Sequence, residues 1–431
     1  MSGNGSHSAD VIVIGGGMAG MAASFHLAKA GLQVTCLDPQ PANRQPVGES
    51  LDWATPDLLT GLGFPRDYLL GSGISTWKRH VTLRMRDGTS RKYAVTQRMT
   101  EQPYNAEPNT LHADRTTLDR QIRDRVAGLG VTLLTDRATG IQRRNRTIEA
   151  IRSAAGRSYT ARWFVDCSGH ATSLFAREFR LPSKEYGPPK VALWTYFDVG
   201  QPSEGTTIYT EAPRGAYLEW IWEIPITAQT ISVGLVATGE TVKGAREQGL
   251  SVEQILRREL LKFRRFESLL DAWPGPVHVT SYRCRGYKGV AGPNWFIAGE
   301  AASMVDPITS NGVSAALRHA AEGSALIISA RNRTRLSRRA RFLYSLRALH
   351  VGRFFNSGIE KMVYQPAVRD RIGLPRAAYI YTAAAWSLNT LYSRLRPRGT
   401  AATLALHALL NGLRLGAWGT RAACVLAAPK G

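Results

Sequence analysis

The sequence predicts an α/β (α+β) protein with two β-sheets of different kinds and a helical C-terminal region. The apolar run "DVIVI" at residues 10–14 precedes a glycine-rich turn and the helical pattern "MAASFHLAKAG", which together indicate the start of a βαβ unit. Residues 190–237 alternate apolar and polar side chains in three runs, a pattern typical of antiparallel strands. From about residue 313 the chain is rich in Ala, Leu and Arg, and we expect mostly helix there.

The glycine-rich turn predicts a dinucleotide site in a Rossmann-like domain. Gly15, Gly17 and Gly20 form G-x-G-x-x-G between the first predicted strand and helix. Gly15 permits the tight turn, Gly17 lets the backbone approach a pyrophosphate, and Gly20 lets the helix pack closely on the strand. Asp38 ends the next predicted strand, where a carboxylate can accept ribose hydroxyls. The predicted contacts at the turn and helix start are Gly15, Gly17, Met18, Ala19 and Gly20.

Two later segments indicate which dinucleotide is bound. "VDCSG" at residues 165–169 ends another predicted strand, and "IAGEAASMVDPITSNG" at residues 297–312 leads into a long predicted helix. The N-terminus of such a helix can hold the electron-rich end of an isoalloxazine ring. Together the segments resemble the FAD-binding pattern of class A flavoprotein monooxygenases and their halogenase relatives. The resemblance implies FAD as the cofactor, with contacts from Arg44, Ser50, Arg115, Asp166, Gly169, Glu300, Asp306, Pro307, Asn311 and Gly312.

The FAD-binding domain is expected to be discontinuous, because the nucleotide-type segments are separated by the β-rich middle of the chain. Its predicted segments are residues 1–75, 105–185 and 280–330. Residues 76–104 and 186–279 form the predicted antiparallel substrate domain, and residues 331–431 form a basic helical C-terminal region. A chain of 431 residues is long enough to bury a large core in this arrangement.

Four separated motifs resemble those of flavin-dependent halogenases. "WIWEIP" at residues 220–225 has the family's W-x-W-x-I-P pattern, and "RQPVGES" at residues 44–50 resembles its Gly-Glu-Ser loop along the flavin. "STWKR" at residues 75–79 places a lysine much as tryptophan halogenases place their essential lysine, and "DPITSNG" resembles their chloride-binding segment. The resemblance implies that Lys78 and Glu49 are catalytic residues. It implies a substrate cavity that includes Trp220, Trp222, Pro225 and Thr309.

Several of these residues also have a structural interpretation. Side chains at i and i+2 of a strand face the same side, so Trp220 and Trp222 either fill a core or form an apolar wall between flavin and substrate. Lys78 could equally be a solvated lysine at a strand edge, and Glu49 a structural carboxylate of its loop. The isolated histidines are expected to be structural: His112, His170, His319 and His350.

The motifs depart from the tryptophan halogenases at three points. Thr309 stands where those enzymes have a glutamate that assists removal of the indole proton. Their Ser-Thr-Gly triplet is replaced by Ser310, Asn311 and Gly312, and Glu300 stands where the family usually has an aspartate. The missing glutamate weakens the prediction of halogenation. A hydroxylase lets the aromatic substrate attack a flavin C4a-hydroperoxide directly, whereas a halogenase first passes the halogen to the lysine.

We therefore predict an FAD-dependent monooxygenase that hydroxylates an aromatic group, indole or tryptophan, through a flavin C4a-hydroperoxide. This resembles the flavoprotein hydroxylation of a peptidyl tryptophan in the biogenesis of a tryptophylquinone cofactor in quinohemoprotein amine dehydrogenase. The alternative is a flavin-dependent halogenase of a phenol, pyrrole or indole, free or bound to a carrier protein. Two further alternatives are a double-bond reductase of the geranylgeranyl reductase type and a non-catalytic protein that binds nucleic acid or a membrane through its basic region.

Charge and composition constrain the partners. The net charge is +22, and residues 323–431 carry eighteen Lys or Arg against two acids, Glu360 and Asp370. The basic residues in 331–431 predict either a solvated helical face or a docking surface, and for the latter we expect an acidic protein or peptide partner. No nucleic-acid motif is present, and no apolar run reaches membrane-spanning length, so neither nucleic acid nor membrane contact is expected. Since one dinucleotide fingerprint is present, we expect a flavin reductase or NAD(P)H to supply electrons.

The cysteines indicate the compartment. Cys36, Cys167, Cys284 and Cys424 are isolated, without a CxxC pair. This spacing argues against a metal site and is typical of the reducing cytoplasm, where we expect the protein to act.

Overall fold

Two β-sheets form the framework of the protein in a computed structural model, which describes residues 7–39, 45–94, 110–171, 173–200, 202–271, 273 and 275–382. The strands are β1 (His7–Ile14), β2 (Val34–Leu37), β3 (Ser75–Trp77), β4 (His80–Met85), β5 (Ser90–Ala94), β6 (Leu111–Ala113), β7 (Thr132–Leu134), β8 (Ala138–Arg144), β9 (Thr147–Ser153), β10 (Ser158–Asp166), β11 (Ser183–Asp198), β12 (Gly205–Thr210), β13 (Trp220–Pro225), β14 (Thr230–Thr238), β15 (His278–Tyr287), β16 (Trp295–Ile297) and β17 (Ser303–Met304).

Helices cover the sheets and connect their strands. The α-helices are α1 (Met18–Lys29), α2 (Thr55–Gly61), α3 (Arg66–Gly71), α4 (Arg115–Gly128), α5 (Leu174–Glu178), α6 (Gly239–Glu247), α7 (Val252–Leu260), α8 (Glu267–Leu270), α9 (Gly312–Ser329), α10 (Arg338–Ile359) and α11 (Pro366–Ile372). Short 3₁₀ turns span Arg264–Phe266, Gly299–Ala301 and Pro307–Thr309, a π-helical turn spans Glu360–Tyr364, and residues 374–382 are helical.

The first sheet has the strand order β7-β2-β1-β10-β9-β8, with β16 also paired to β10. β1 runs parallel to β2 and β10, and β2 runs parallel to β7. The predicted βαβ start is therefore confirmed: β1 leads through the glycine turn into α1, which returns to β2. α1 packs between this sheet and α9, and its small buried residues allow that close approach.

The second sheet has eight strands in the order β17-β15-β11-β14-β13-β12-β4-β5. Its pairs are antiparallel except for β12 and β4, which run parallel. One face of this sheet packs against α6, α7 and α8 through an apolar core. The mixed α/β fold with an antiparallel second sheet is confirmed. Residues 280–287 lie in β15, so the sheet boundary falls later in the chain than the domain boundary expected at residue 280.

The C-terminal helices pack on the other face of the second sheet. Phe355, Ile359, Val363 and Leu374 share one apolar core with the indoles of β13. Arg369, counted among the basic residues, is buried and donates to the carbonyl oxygens of residues 213 and 216. The described part of the basic region is thus built into the fold, while exposed arginines concentrate between residues 331 and 339. Residues 383–431 lie outside the described residues.

The two tryptophans of β13 belong to this core. Trp220 and Trp222 are buried on the same face of the strand, with their ring centroids 5.9 Å apart. Gly234 of β14 lies opposite Trp222, where a Cβ atom would stand 2.3 Å from Cζ2 of the indole and 2.6 Å from Cβ of Trp194. Glycine is therefore required there to let the indole lie flat across the sheet.

Substitution of Gly234 by alanine is expected to destabilise the protein by about 1–3 kcal/mol, because the added methyl group overpacks the core against Trp222. Gly244→Ala, in α6, is the matched control, since nothing lies within 4 Å of its Cβ position; it is expected to leave stability unchanged or raise it by up to about 1 kcal/mol. Urea unfolding followed by circular dichroism measures both. Equal stability of the two variants would contradict this packing.

Candidate active site

The glycine turn between β1 and α1 forms a cradle that fits a pyrophosphate. Gly15 adopts φ +95°, and a Cβ atom there would lie 2.3 Å from the carbonyl oxygen of Cys167. A Cβ atom at Gly20 would lie 1.8 Å from the carbonyl oxygen of Gly15. Gly17, the N-cap of α1, has no side chain that could cap the helix, and no acid stands in the first turn. These amides and the helix dipole are therefore arranged for an anion.

Asp38 lies at the end of β2, beside the same turn. Its Oδ2 accepts a hydrogen bond of 2.7 Å from Nη1 of Arg123, and a Cβ atom at Gly16 would stand 2.1 Å from it. The Asp38 carboxylate thus lies where it would accept hydrogen bonds from the ribose of a bound nucleotide. Arg123, on α4, was missed by the sequence analysis, because its helix lies 85 residues further along the chain.

Arg115, at the start of α4, fixes the backbone of the loop that was predicted to follow the flavin. Its Nη1 donates to the carbonyl oxygens of Val47 and Gly48, both at 3.2 Å. Its Nε and Nη2 hold both oxygens of Asp119 at 2.8 and 2.9 Å. The guanidinium therefore orients residues 47–50. Arg44, at the start of the same motif, lies outside the described residues.

Glu49 points from this loop into the second sheet. Its side chain is buried, with Oε1 accepting from Tyr196 Oη at 3.1 Å and Ser232 Oγ at 3.2 Å. Burial raises the pKa of this carboxyl group, and the hydrogen bonds from its own loop and from Tyr196 oppose that rise. Ser232 accepts in turn from Nε1 of Trp222 at 3.0 Å. Trp222 of the W-x-W motif thus orients Ser232, which in turn donates to the Glu49 carboxylate.

The other indole holds a second buried carboxylate. Trp220 Nε1 donates to Tyr364 Oη at 2.9 Å, and Tyr364 donates to Asp306 Oδ1 at 2.8 Å. Lys190 Nζ lies 2.9 Å from the other oxygen of Asp306. The Asp306 side chain was predicted to contact the cofactor. Both of its oxygens instead bind residues inside the protein, Lys190 and Tyr364. The 3₁₀ turn that begins at Pro307 carries the chain from Asp306 back toward the site.

Asp166 is likewise occupied inside the protein. Its carboxylate accepts from Ser168 N and Oγ, from Ser173 Oγ and from Phe175 N, at 2.6–3.0 Å. These bonds fold the segment after β10, in which Gly169 adopts φ +87°. The backbone of Cys167, rather than the Asp166 side chain, is what meets the glycine turn.

Glu300 lies in the 3₁₀ turn Gly299–Ala301, between β16 and β17. Its Oε2 is 3.1 Å from Nδ1 of His170, whose Nε2 is 3.0 Å from the carbonyl oxygen of Ser281. A Cβ atom at Gly312, the first residue of α9, would lie 3.9 Å from Oε1 of Glu300. No side chain caps α9 at Asn311 and no acid occupies its first turn, so a second helix N-terminus faces the predicted flavin region.

A cavity of about 130 Å³ lies between the second sheet, the start of α9 and the C-terminal helices. Lys78 and Thr309 line it, together with Asp52, Ser310 and Asn311. The apolar part of its wall comprises Trp53, Val81, Leu83, Ile208, Leu218, Ile308, Phe355, Ile359, Val363, Leu374, Ala378 and Tyr381. Of the four residues predicted to form the substrate cavity, Thr309 is in its wall. Trp220, Trp222 and Pro225 are not in its wall, and the two indoles fill the core instead.

Lys78 brings an amine to this apolar cavity. Its side chain is 7% exposed, and Nζ donates to the carbonyl oxygen of Leu51 at 3.1 Å and to Ser310 Oγ at 3.2 Å. Burial lowers the pKa of Lys78 to about 8, although the nearby Asp52 carboxylate opposes the shift. A substantial fraction of this lysine is therefore a neutral amine near physiological pH, unlike a solvated lysine at a strand edge.

Asp52 is a site residue that the sequence analysis missed. Its Oδ1 accepts from Thr55 N and Oγ1 at 3.0 and 2.6 Å. Its Oδ2 accepts from Asn311 Nδ2 at 2.9 Å and from Ser314 Oγ at 2.5 Å. The carboxylate fastens the start of α2 to the start of α9 below Lys78. The one available signal was an acid two residues after the Gly-Glu-Ser motif.

Comparison with known proteins identifies the family. Residues 75–326, more than half of the chain, match the tryptophan halogenase family model, and residues 10–55 match an FAD-binding domain model. The chain belongs to the tryptophan halogenase family. FAD is accordingly its cofactor, as the glycine turn and the two uncapped helix N-termini favour.

The similar proteins include several named as halogenases. A 1H-pyrrole-2-carbonyl-[peptidyl-carrier protein] chlorinase of Pseudomonas fluorescens is 28% identical over 75% of this chain and 76% of its own length. A tryptophan 2-halogenase of Chondromyces crocatus is 25% identical over 75% of this chain and 60% of its own. The structure of a triple mutant of the flavin-dependent brominase Bmp2 superposes with a TM-score of 0.68 at 18% identity, covering 96% of this chain and 98% of that one. At 18% identity, this structural similarity shows that the two proteins share a fold.

The described residues contain neither a membrane-spanning helix nor a metal-binding cluster. Among the described residues no helix is both long and apolar enough to cross a bilayer. The same part of the chain contains no cluster of three or more His, Cys, Asp or Glu side chains that could hold a metal ion.

Substitution of Gly20 by alanine is expected to weaken FAD binding by about tenfold or more, because its methyl group would collide with the carbonyl of Gly15 and open the phosphate turn. Gly128→Ala, at the end of α4, has nothing within 4 Å of its Cβ position and serves as the control. Titration of flavin fluorescence measures both affinities. Unchanged FAD affinity in Gly20→Ala would place the pyrophosphate elsewhere.

Proposed function

We propose that this protein is a flavin-dependent halogenase of a small electron-rich aromatic ring, of the pyrrole or phenol class, presented by a carrier protein. The observation that carries the proposal is Lys78: a buried amine of lowered pKa that faces an apolar cavity and is held by Ser310. Bound FAD, once reduced, supplies the oxidising power through its reaction with O₂. The residues of this chain position the ring, exclude water and offer the amine.

The size and lining of the cavity support a single-ring substrate. An engineered apolar cavity of roughly 150 Å³ accepts benzene, and the present cavity of about 130 Å³ is of similar size. Its apolar wall and the closing C-terminal helices keep water away from Lys78, which protects a reactive halogen species from hydrolysis. The ring nitrogen of a pyrrole, or the hydroxyl oxygen of a phenol, also has an electron pair that assists attack of the ring on the halogen.

The similarity to a pyrrolyl carrier-protein chlorinase supports the pyrrole class and a carrier-bound substrate. Thr309 provides no carboxylate base for an indole, which also favours a smaller, more electron-rich ring. The acidic partner predicted from the basic region rests on charge alone, with exposed arginines at residues 331–339 as its candidate contacts. A flavin reductase or NAD(P)H is needed as the source of reduced FAD.

Hydroxylation, preferred from the sequence because of Thr309, becomes the second candidate. The family match and the buried lysine favour the halogenase alternative. Hydroxylation of an indole or peptidyl tryptophan has no further support in the site, because the cavity suits one ring and the tryptophans of the W-x-W motif lie in the core. The two activities differ in their products, so one incubation distinguishes them.

The test supplies reduced FAD, O₂ and bromide to the protein with a pyrrolyl or phenolic thioester on a carrier protein. The proposal predicts a product with a bromine isotope pair in the mass spectrum. A product that gains oxygen and no bromine would overturn halogenation in favour of hydroxylation. Free pyrrole acid and free tryptophan in parallel incubations establish whether the carrier is required.

Lys78→Met is expected to lower the halogenation rate by about 100-fold or more, because it keeps the length of the side chain and removes the amine. FAD affinity is expected to stay at the wild-type value, and thermal stability to stay equal or rise, because an apolar side chain carries no desolvation cost in this cavity. Product formation, flavin fluorescence and a melting curve measure the three quantities. Bromination at the wild-type rate would contradict the role of Lys78.

A further inference from the structure

An unbroken chain of hydrogen bonds leads from Lys78 to a buried histidine. Lys78 Nζ donates to Ser310 Oγ at 3.2 Å, and Ser310 donates to Ser50 Oγ at 3.1 Å. Ser50 Oγ and Thr206 Oγ1 are 3.1 Å apart, and Thr206 Oγ1 is 3.0 Å from Nε2 of His112. The two steps that involve nitrogen are within the usual hydrogen-bond distance, and the two steps between hydroxyl groups, at 3.1 Å each, are slightly longer than usual. This hydrogen-bonded path therefore joins four segments: the loop before α9, the Gly-Glu-Ser loop, β12 and β6.

The far end of this chain fixes its direction. Thr76 Oγ1 donates its proton to the carbonyl oxygen of Pro225 at 2.6 Å, so it accepts from Nδ1 of His112 at 3.2 Å. His112 therefore carries its proton on Nδ1 and presents Nε2 as an acceptor to Thr206. Every hydroxyl along the path then donates away from Lys78. The path ends on an imidazole nitrogen with a free electron pair.

The charged groups near Lys78 and His112 favour a single proton on the pair, rather than one on each side chain. Asp52 is the charged group that acts on Lys78, and it favours the ammonium form against burial. His112 is fully buried, and its pKa lies well below the usual value because of burial first, then the charges of Lys78 and of His80. A proton on Lys78 therefore disfavours a proton on His112. Transfer of that proton removes the repulsion from Lys78 but not the effect of burial, so the Lys78 ammonium is the resting state and His112 holds the proton only while the amine is in use.

We propose that Ser310, Ser50 and Thr206 relay the proton of the Lys78 ammonium to Nε2 of His112. One N–H bond of Lys78 breaks, each hydroxyl accepts a proton on one side and releases its own on the other, and an N–H bond forms on His112. No electrons are exchanged, and one positive charge moves from the amine to the imidazole. The amine regains an electron pair without a water molecule entering the cavity.

This inference rests on the proposed function, in which Lys78 must be a neutral amine to take up the halogen. His112, Thr206 and Ser50 act through Lys78 and are positioning residues. Thr206 also lines the cavity. It is the most useful place to cut the path, because valine has nearly the shape of threonine, so it keeps the cavity wall while removing the hydroxyl. Ser is the conservative replacement that keeps it.

The test compares the wild-type holoenzyme with Thr206→Val and Thr206→Ser at pH 7 and pH 9.5. Thr206→Val is expected to lower kcat at pH 7 by about tenfold, with KM unchanged, because the relay is cut while Lys78 remains protonated. At pH 9.5, above the pKa of Lys78, the variant is expected to recover toward the wild-type rate, because the amine is neutral without the relay. Thr206→Ser is expected to keep the wild-type ratio of the two rates.

Thr207→Val is the matched control for folding, because it makes the same change one residue along β12 on the opposite face of the strand. Its rate ratio is expected to equal that of the wild type. Melting curves and FAD titrations check that each protein is folded. If Thr206→Val does not fold, Ser50→Ala cuts the path one step earlier and must show the same alkaline recovery.

An equal loss of kcat at both pH values, or no loss at either, would overturn the relay. The identity of the product reports on the proposed function, whereas the ratio of rates reports on the relay whatever the product is. A hydroxylated product with alkaline recovery would therefore reject halogenation and keep the relay. A brominated product without alkaline recovery would do the reverse.

Discussion

The burial of the Lys78 amine is the constraint on which the rest of the site depends. Removing an ammonium group from water is unfavourable, and burial therefore lowers the pKa of Lys78. Hydrogen bonds to the Leu51 carbonyl oxygen and the Ser310 hydroxyl partly replace the lost water. With a pKa of about 8, this lysine is mostly an ammonium at pH 7, but its neutral fraction is far larger than that of a solvated lysine. The same side chain at a solvated strand edge would be an ammonium and would have no such reactivity.

The two sheets hold the elements that surround this amine. The first sheet ends in the glycine turn, where we propose that the pyrophosphate of FAD binds. The second sheet is connected to the site by hydrogen bonds from two tryptophans of β13. Trp222 is linked to Glu49 through Ser232. Trp220 is linked to Asp306 through Tyr364. The flavin loop and the loop before α9 are thus anchored to neighbouring residues of one strand. Displacement of β13 would therefore disturb both loops at once.

Local chemistry explains what could be predicted from the sequence. The glycine turn, α1 and β2 follow from residues within 30 positions of one another, and their roles are set by backbone geometry. Lys78 was predicted from a short motif, and the structure places it in the wall of the cavity. The role of the two tryptophans could not be decided, because a two-residue spacing gives the shared face of a strand and does not tell what packs on that face.

Long-range contacts explain what could not be predicted. Asp306 was assigned to the cofactor, yet its partners Lys190 and Tyr364 lie more than 50 residues away on either side. The basic C-terminal region suggested a surface, whereas the apolar residues between its arginines close the cavity. His112 was expected to be structural, and its link to Lys78 depends on hydroxyl groups from three distant segments.

The most direct test of this account is the titration of Lys78 itself in the protein. Its rate of reaction with a small amine-specific reagent, followed by peptide mass spectrometry as a function of pH, reports the fraction of neutral amine. The account predicts a midpoint of about 8, set by burial. A midpoint near the ordinary lysine value of about 10.4 would show a solvated ammonium and would contradict the central role of the buried amine.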